Sequence, residues 1–446
     1  MRFFLIIIWF LSWASPAFCQ QRWAILGPSA PKDPLLFTQR LQALIDKSAD
    51  SAISIMIKGR HKLYPIRLKS KTTIILDKSC YLSAPSTAVA YPLLQFDTRY
   101  RLPAKGIRAL FYAYEADQIS ITGKGTIDGM GAAPAFAPNP DSARPYIIAL
   151  IGCRNILIDG ISLRQPAYWA QAYVACNNIK IRNQKVYAHA NRNNDGLDIV
   201  GCKNVAISRC NIDSDDDAIV LKTFSPVFPN QNITVSGCKL RSNCNAFKVG
   251  TESAGDSRNI TFKNSIISGS STFSGVYARR MGLTGICLTS VDGGTLSNVL
   301  CHNISIKDVY APFFIRCGQR GRAYGAKADS LKAAGIPPSG MEGITLRAIK
   351  GSSSRGPECI ISGIAGQPIK NLSLENIILS MPGGYPDSLA VPTNMPEVPD
   401  GYPEIKMFGQ CSPASGIFIR HVEGFRKSGL SIIHRRKDAR PKLVVQ

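Results

Sequence analysis

A short phrase, Asn-[Ile/Val/Leu]-x-[Ile/Val/Leu], returns along this chain at nearly even intervals. It occurs as NILI from Asn155, NIKI from Asn178, NVAI from Asn204, NITV from Asn232 and, with a closing Phe, NITF from Asn259. Successive starts lie 23 (178 − 155), 26, 28 and 27 residues apart. NISI from Asn303 and NLSL from Asn371 carry the theme past longer insertions, and ISIT from Ile119 anticipates it. Self-similarity at a fixed period marks a stack of like units, none of which can bury its apolar face alone. Within each unit, short runs alternate β-branched with polar residues and are broken by Gly, Asn, Asp and Ser, so the runs are strands. Antiparallel hairpins would need turn signals every 8–12 residues or so. A unit of about 25 residues with three short strands fits one coil of a right-handed parallel β-helix, an all-β solenoid. Asn tolerates the left-handed backbone of a corner, so the repeated Asn is read as structural.

A solenoid has open ends that need covers. PLLFTQRLQALIDKS, residues 34–48, spaces Leu and Ile at helical intervals and is expected to form an N-terminal capping helix. The first coils are expected from Lys62 to Leu82. Gly335 to Met341 and Pro382 to Pro403 are rich in Pro and Gly and are read as loops on the outside of the stack. Cys153, Cys176 and Cys202 open the similar phrases CRNILIDG, CNNIKIRN and CKNVAISR. Cysteines recurring once per unit are expected to stack as buried, mostly unbridged thiols.

The N-terminus and the charge narrow the partners. Met1-Arg2, an apolar run from Phe3 to Leu11 and the small-x-small site Ala17-Phe18-Cys19 read as a secretory signal peptide, residues 1–19, too short to span a bilayer. The expected product is one β-helix domain over 20–446, secreted or periplasmic. A lipid-anchored outer-membrane form through Cys19 is the weaker reading, because bulky Phe18 precedes it. Lys plus Arg number 53 against 30 Asp plus Glu, a formal charge of +23. Such an excess favours a polyanion. Export sets nucleic acid aside, no membrane span is expected, and an acidic glycan becomes the expected partner of a monomer.

The chemistry-bearing residues concentrate in NNDGLDI, Asn193–Ile199, and DSDDDAIVLK, Asp213–Lys222. Asp195 precedes Asp216 by 21 residues and Asp217 by 22, which is one coil. Carboxylates so gathered repel one another, so one pKa rises while another stays low. That is what glycoside hydrolysis asks of an acid and a base. From the carboxylates alone, a Ca²⁺ site and plain corner residues stay open.

These segments resemble glycoside hydrolase family 28, the polygalacturonase family, of which the chain looks like a divergent bacterial-type member. NNDGLDI is similar to the family's Asn-x-Asp-Gly-x-Asp, and DDDAI contains its paired Asp. GTIDGMG from Gly125 and QPAYWAQAYVACNNIKI from Gln165 are similar to parts of its repeat. The resemblance implies a pectin lyase-like right-handed β-helix and inverting cleavage of galacturonan-type bonds without a metal or other cofactor. It implies Asp216 as general acid and Asp195 with Asp217 as the pair activating water. Asp198, Asp213 and Asp215 match none of the family's catalytic positions and are read as supporting residues.

Two departures stand out. Asn245, in CNAFKVGT, stands where the family has His, and an amide cannot titrate near neutrality. The family's Arg-x-Lys is replaced by Cys287 and Thr289 within GICLTSVDGG. Arg279 or Arg280 is expected to supply the lost cation, and Arg suits bidentate carboxylate binding. Asn193, Asn245 and Lys248 are further substrate-binding candidates, with Lys222 beside them. Arg316, followed by Arg320 and Arg322, is expected further along the cleft, and His189 is kept as a minor candidate. Two other readings stay open: a Ca²⁺-dependent β-helix lyase, and a non-catalytic binder of pectic glycan.

Overall fold

The computed structural model describes residues 22–446, apart from 28, 102–106, 137–143, 277, 279, 325–334, 355–357 and 410–411. The proposed signal peptide, Arg279, Cys19 and Cys411 lie outside the described residues. The rest is a right-handed parallel β-helix whose strands form one continuous sheet, from Arg22–Leu26 at one end to Leu443–Val445 at the other.

The intervals of the Asn phrase are the coil lengths. Arg154 registers on Asn177, Asn177 on Lys203, Lys203 on Gln231 and Gln231 on Arg258, giving the same steps of 23, 26, 28 and 27 residues. Each of these coils holds three strands, for example Leu197–Val200, Lys203–Ser208 and Asn211–Ser214. The Asn residues occupy left-handed φ, from 54° at Asn155 to 58° at Asn178, Asn232 and Asn259. Their amides also ladder: Asn232 Nδ2 donates to Asn204 at 3.0 Å and Asn259 Nδ2 to Asn232 at 3.1 Å. Asn371 continues this corner opposite Gly343, whereas Asn303 sits one corner on, where its Nδ2 donates to Asn264 at 2.8 Å. The phrase at Asn303 thus marks a second ladder, because both corners require a left-handed residue.

Alternate side chains point inward. Ile156, Ile179, Val205, Ile233 and Ile260 stack in register and are almost wholly buried; each such side chain contributes roughly 1.5–3 kcal/mol. Every described cysteine is a buried thiol and no described pair is bridged, as the repeat phrases implied.

The capping helix runs Pro34–Asp46. Asp33 caps it by accepting from the Leu36 N–H at 2.8 Å, and Pro34 opens it where a missing N–H costs nothing. Phe37, Leu41 and Ile45, four residues apart, bury one stripe over the first coils, and Phe37 stacks on His61 at 4.2 Å. No helix among the described residues is long and apolar enough to cross a membrane.

Candidate active site

Along one face of the solenoid, register sets what points outward. Asp198, Val220, Lys248, Cys287, Phe314, Ile360 and Phe418 form one outward ladder, and Thr289, Arg316, Ser362 and Arg420 form another. Strand Leu197–Val200 pairs with Ile219–Thr223 at a step of 22 residues, from Leu197 to Ile219. The turns before these strands therefore stack, and the Gly196 N–H donates to the Asp217 carbonyl at 2.9 Å. Asp195, Asp216 and Asp217 all come to one cleft of about 290 Å³.

Two ammonium groups organise the acids. Lys222 Nζ donates to Asp195 Oδ2 at 2.8 Å and to Asp198 Oδ1 at 2.7 Å, and lies 3.6 Å over the Trp169 ring. Lys248 Nζ is 3.0 Å from Asp217 Oδ2, while Asn245 Nδ2 donates to Asp217 Oδ1 at 2.7 Å. All these groups are buried. Burial drives the Asp195 carboxyl well above the usual range, with Lys222 working against it and Asp198 adding to it. Burial likewise pushes Asp198 up to about 7. Burial also disfavours ionised Asp217, yet Lys248, Lys222 and Asn245 outweigh it and hold this carboxylate below its ordinary value. One ammonium between Asp195 and Asp198 cannot neutralise both, so a proton stays in that pair at mildly acidic pH.

The expected consequence is a measurable linkage. Asp198 binds its proton in the fold up to about pH 7 but loses it near 3.8 when unfolded. It thus contributes stability that is complete below the unfolded value and is lost as pH rises through the folded one. Urea unfolding of the wild type and Asp198→Asn at pH 4 and pH 8 should show the wild type losing on the order of 2–4 kcal/mol relative to the variant. An unchanged difference would remove the shared-proton account.

Tyr168 and Trp169 stack at 5.3 Å, and Tyr146 meets both edge-on at 5.2 and 5.6 Å, making an aromatic wall. Asn193 also lines the cleft, its Oδ1 accepting from Arg144 Nη2 at 2.9 Å. Glu252, Arg322, Tyr324 and Tyr402 also line the cleft. Tyr324 and Arg320 are both fixed on Asp292, with the Tyr324 hydroxyl donating to it at 2.8 Å and Arg320 Nε at 2.9 Å. An oxygen of each of Asp216 and Asp217 and the Cys244 sulfur lie within 4.8 Å of one another, the one metal-ligand grouping among the described residues. The Lys248 ammonium on Asp217 opposes a cation there.

Several expectations are corrected by this geometry. Lys222 is not available to a uronate, since its ammonium is committed to two aspartates. Arg316 is fully buried and donates to Ser362, Gly363 and Val398, so it lies under a loop and does not line the cleft. Arg280 is exposed and is not among the residues lining the cleft. His189 belongs to another cluster, 2.9 Å from Asp213 and 3.6 Å from Asp215. Asp215 in turn accepts from Asn243 and Ser274, and Asp213 from Arg241. Sequence reasoning undervalued Asp198, although its place between core-facing Leu197 and Ile199 marks it as outward. Tyr402 carried no local signal, being 151 residues from its partner Thr251.

The sequence model of glycosyl hydrolases family 28 matches residues 94–398. A probable endo-xylogalacturonan hydrolase A of Neosartorya fischeri is 31% identical over 126 residues, which cover 26% of this chain and 31% of that protein. An exopolygalacturonase of Cochliobolus carbonum is 25% identical over 295 residues, 61% of this chain and 63% of that protein. The matches therefore span less than two thirds of the length of either relative. The solved family 28 exopolygalacturonase of Yersinia enterocolitica superposes with a TM-score of 0.63 at 18% identity, over 95% of this chain and 79% of that one, a likeness of fold. With more than half of its length matched, and with the coils that hold Asp195, Asp216 and Asp217 inside that match, the chain belongs to glycosyl hydrolase family 28.

Proposed function

We propose that the chain is an exported glycoside hydrolase, one solenoid domain over 20–446, that cleaves a galacturonate-containing pectic glycan by single displacement with inversion. The observation that carries this reading is the division of labour among neighbouring acids in one cleft. Asp217, held ionised by Lys248 and Asn245, is suited to take a proton from water. Asp216 delivers a proton to the leaving oxygen, and Asp195, on the adjoining coil, holds the same water. Lys222, itself seated over the Trp169 ring, fixes Asp195 in place. Tyr168 and Trp169 offer a flat apolar face against which a sugar ring packs. The names of the relatives, hydrolases of polygalacturonan and xylogalacturonan, support a pectic substrate.

Arg322 is our assignment for the uronate carboxylate, in place of Arg279 or Arg280. It lines the cleft and is exposed, and no side-chain hydrogen bond or ion pair engages it among the described residues. Calcium-dependent elimination is disfavoured because Lys222 and Lys248 already put two positive charges among these carboxylates. The test is proton NMR of fresh digests of defined pectic oligosaccharides, free and methyl-esterified. The newly formed reducing end should carry the anomeric configuration opposite to the bond cut, and esterification should weaken turnover. A retained configuration, an unsaturated sugar, or no product from any pectic substrate would defeat the reading.

A further inference from the structure

We infer that the site is a pocket for the end of a glycan chain, not a groove that an uninterrupted polymer can cross; this rests on the hydrolase reading above. A bare solenoid face would present a groove running from coil to coil. Here that face is sealed on both sides of the acids. Beyond Lys248 the outward ladder turns apolar at Cys287, Phe314, Ile360 and Phe418, and Met395, Ile405 and Phe408 are buried against it. Cys287 is 1% and Thr289 0% exposed, so the register where the family carries its cationic pair lies beneath this cover.

The cover is fastened by two buried guanidinium groups that lie beneath it. Arg316 Nη2 donates to the Val398 carbonyl at 2.7 Å, and Arg420 Nη1 and Nη2 donate to Met395 and Pro396 at 2.7 and 2.8 Å. The Gln319 N–H adds a bond to the Pro399 carbonyl at 2.7 Å. Undocking would strip buried Arg316 of the Val398 carbonyl and buried Arg420 of the Met395 and Pro396 carbonyls, which makes an undocked loop costly even though Ser362 and Gly363 still hold the other nitrogens. On the opposite side, Tyr100 and Ile107 are buried over Ile151, Val174 and Val200, and the Tyr100 ring stacks on Phe228 at 5.2 Å. What remains between the covers is the cleft of about 290 Å³, at the lower edge of the roughly 300–1,000 Å³ usual for ligand pockets. A polymer threading along the solenoid axis meets protein in both directions, so only a terminus can reach Asp216.

Two measurements on the full-length protein decide this. In the first, a long linear oligogalacturonide labelled at its reducing end is digested and sampled early. Terminal release predicts that products one or two residues long exceed mid-chain fragments by about tenfold or more. Early mid-chain fragments at random positions would overturn the pocket while leaving the hydrolase reading intact. In the second, binding stoichiometry is measured by calorimetry for oligogalacturonides of increasing length. One protein per chain at every length supports the pocket even in a protein that cuts nothing, whereas a number rising with length overturns it. Absence of both binding and cleavage removes the pocket and the hydrolase reading together. The double variant Met395→Ala, Phe408→Ala, checked for folding by circular dichroism, should raise the mid-chain share about fivefold or more if the cover sets the mode.

Discussion

Asp216→Asn should lower kcat on a pectic oligosaccharide by about 10²–10⁴-fold with KM changed little, because an amide keeps the shape of the acid but has no proton to give. Binding of the oligosaccharide, read by calorimetry, should persist. The variant is conservative in its surroundings: Asp216 Oδ1 accepts from the Asp217 N–H at 2.9 Å, a bond the Asn carbonyl oxygen can keep. A leaving group that needs little protonation, such as an activated aryl glycoside, should recover part of the lost rate, which separates an acid from a residue that merely shapes the turn. Equal losses on activated and natural substrates would assign Asp216 to binding or structure.

The second large effect is expected at Lys222. Among the described residues, its ammonium is the one cation within bonding distance of both Asp195 and Asp198, and all three groups are buried. Lys222→Met keeps most of the stem over Trp169 and removes the charge. Removing one partner of a buried ion pair costs about 3–5 kcal/mol, much of it from the charges left behind. The carboxyls can escape that cost by binding protons. Without Lys222 their folded pKa values rise further, and stability from such groups is present at low pH and lost as pH rises through the folded value. Urea unfolding should therefore show the full deficit near pH 8 and a much smaller one near pH 4. A deficit of equal size at both would mean that packing against Trp169, not charge, is what Lys222 contributes.

Much of this molecule was legible because a coil is a local object. The Asn phrase reports its own length: a left-handed corner is needed once per turn, Asn supplies it, and the amides then bond from coil to coil. The same arithmetic put Asp195 one coil from Asp216 and Asp217. Asn303 slipped because two corners share one requirement, and sequence alone does not say which of them a given Asn occupies. The cover was harder to see. PGGYPDSLAVPTNMPEVPDGYP reads as loop punctuation, and nothing in its pattern shows that it docks on coils formed far earlier. Arg316 was misjudged for the same reason: an outward-facing Arg beside a cleft looks like a ligand for substrate until something is found lying on top of it. Arg279 and Arg280 drew attention as a pair, while Arg322, reaching the cleft from a loop after a later coil, had only its neighbours Arg316 and Arg320 to recommend it.

The way the cover is fastened has a consequence for the order of assembly. Its two guanidinium anchors lie on either side of the loop in sequence, Arg316 before it and Arg420 after it. Coils can stack as they emerge, each on its predecessor. The acids would then be in place while the face beyond Lys248 is still bare, and the loop could be pinned down only once the strand Ile417–Arg420 has been laid against Cys359–Ser362. The C-terminal coils would thus act as a latch, turning an open trough into a closed-ended vessel in the last steps of folding.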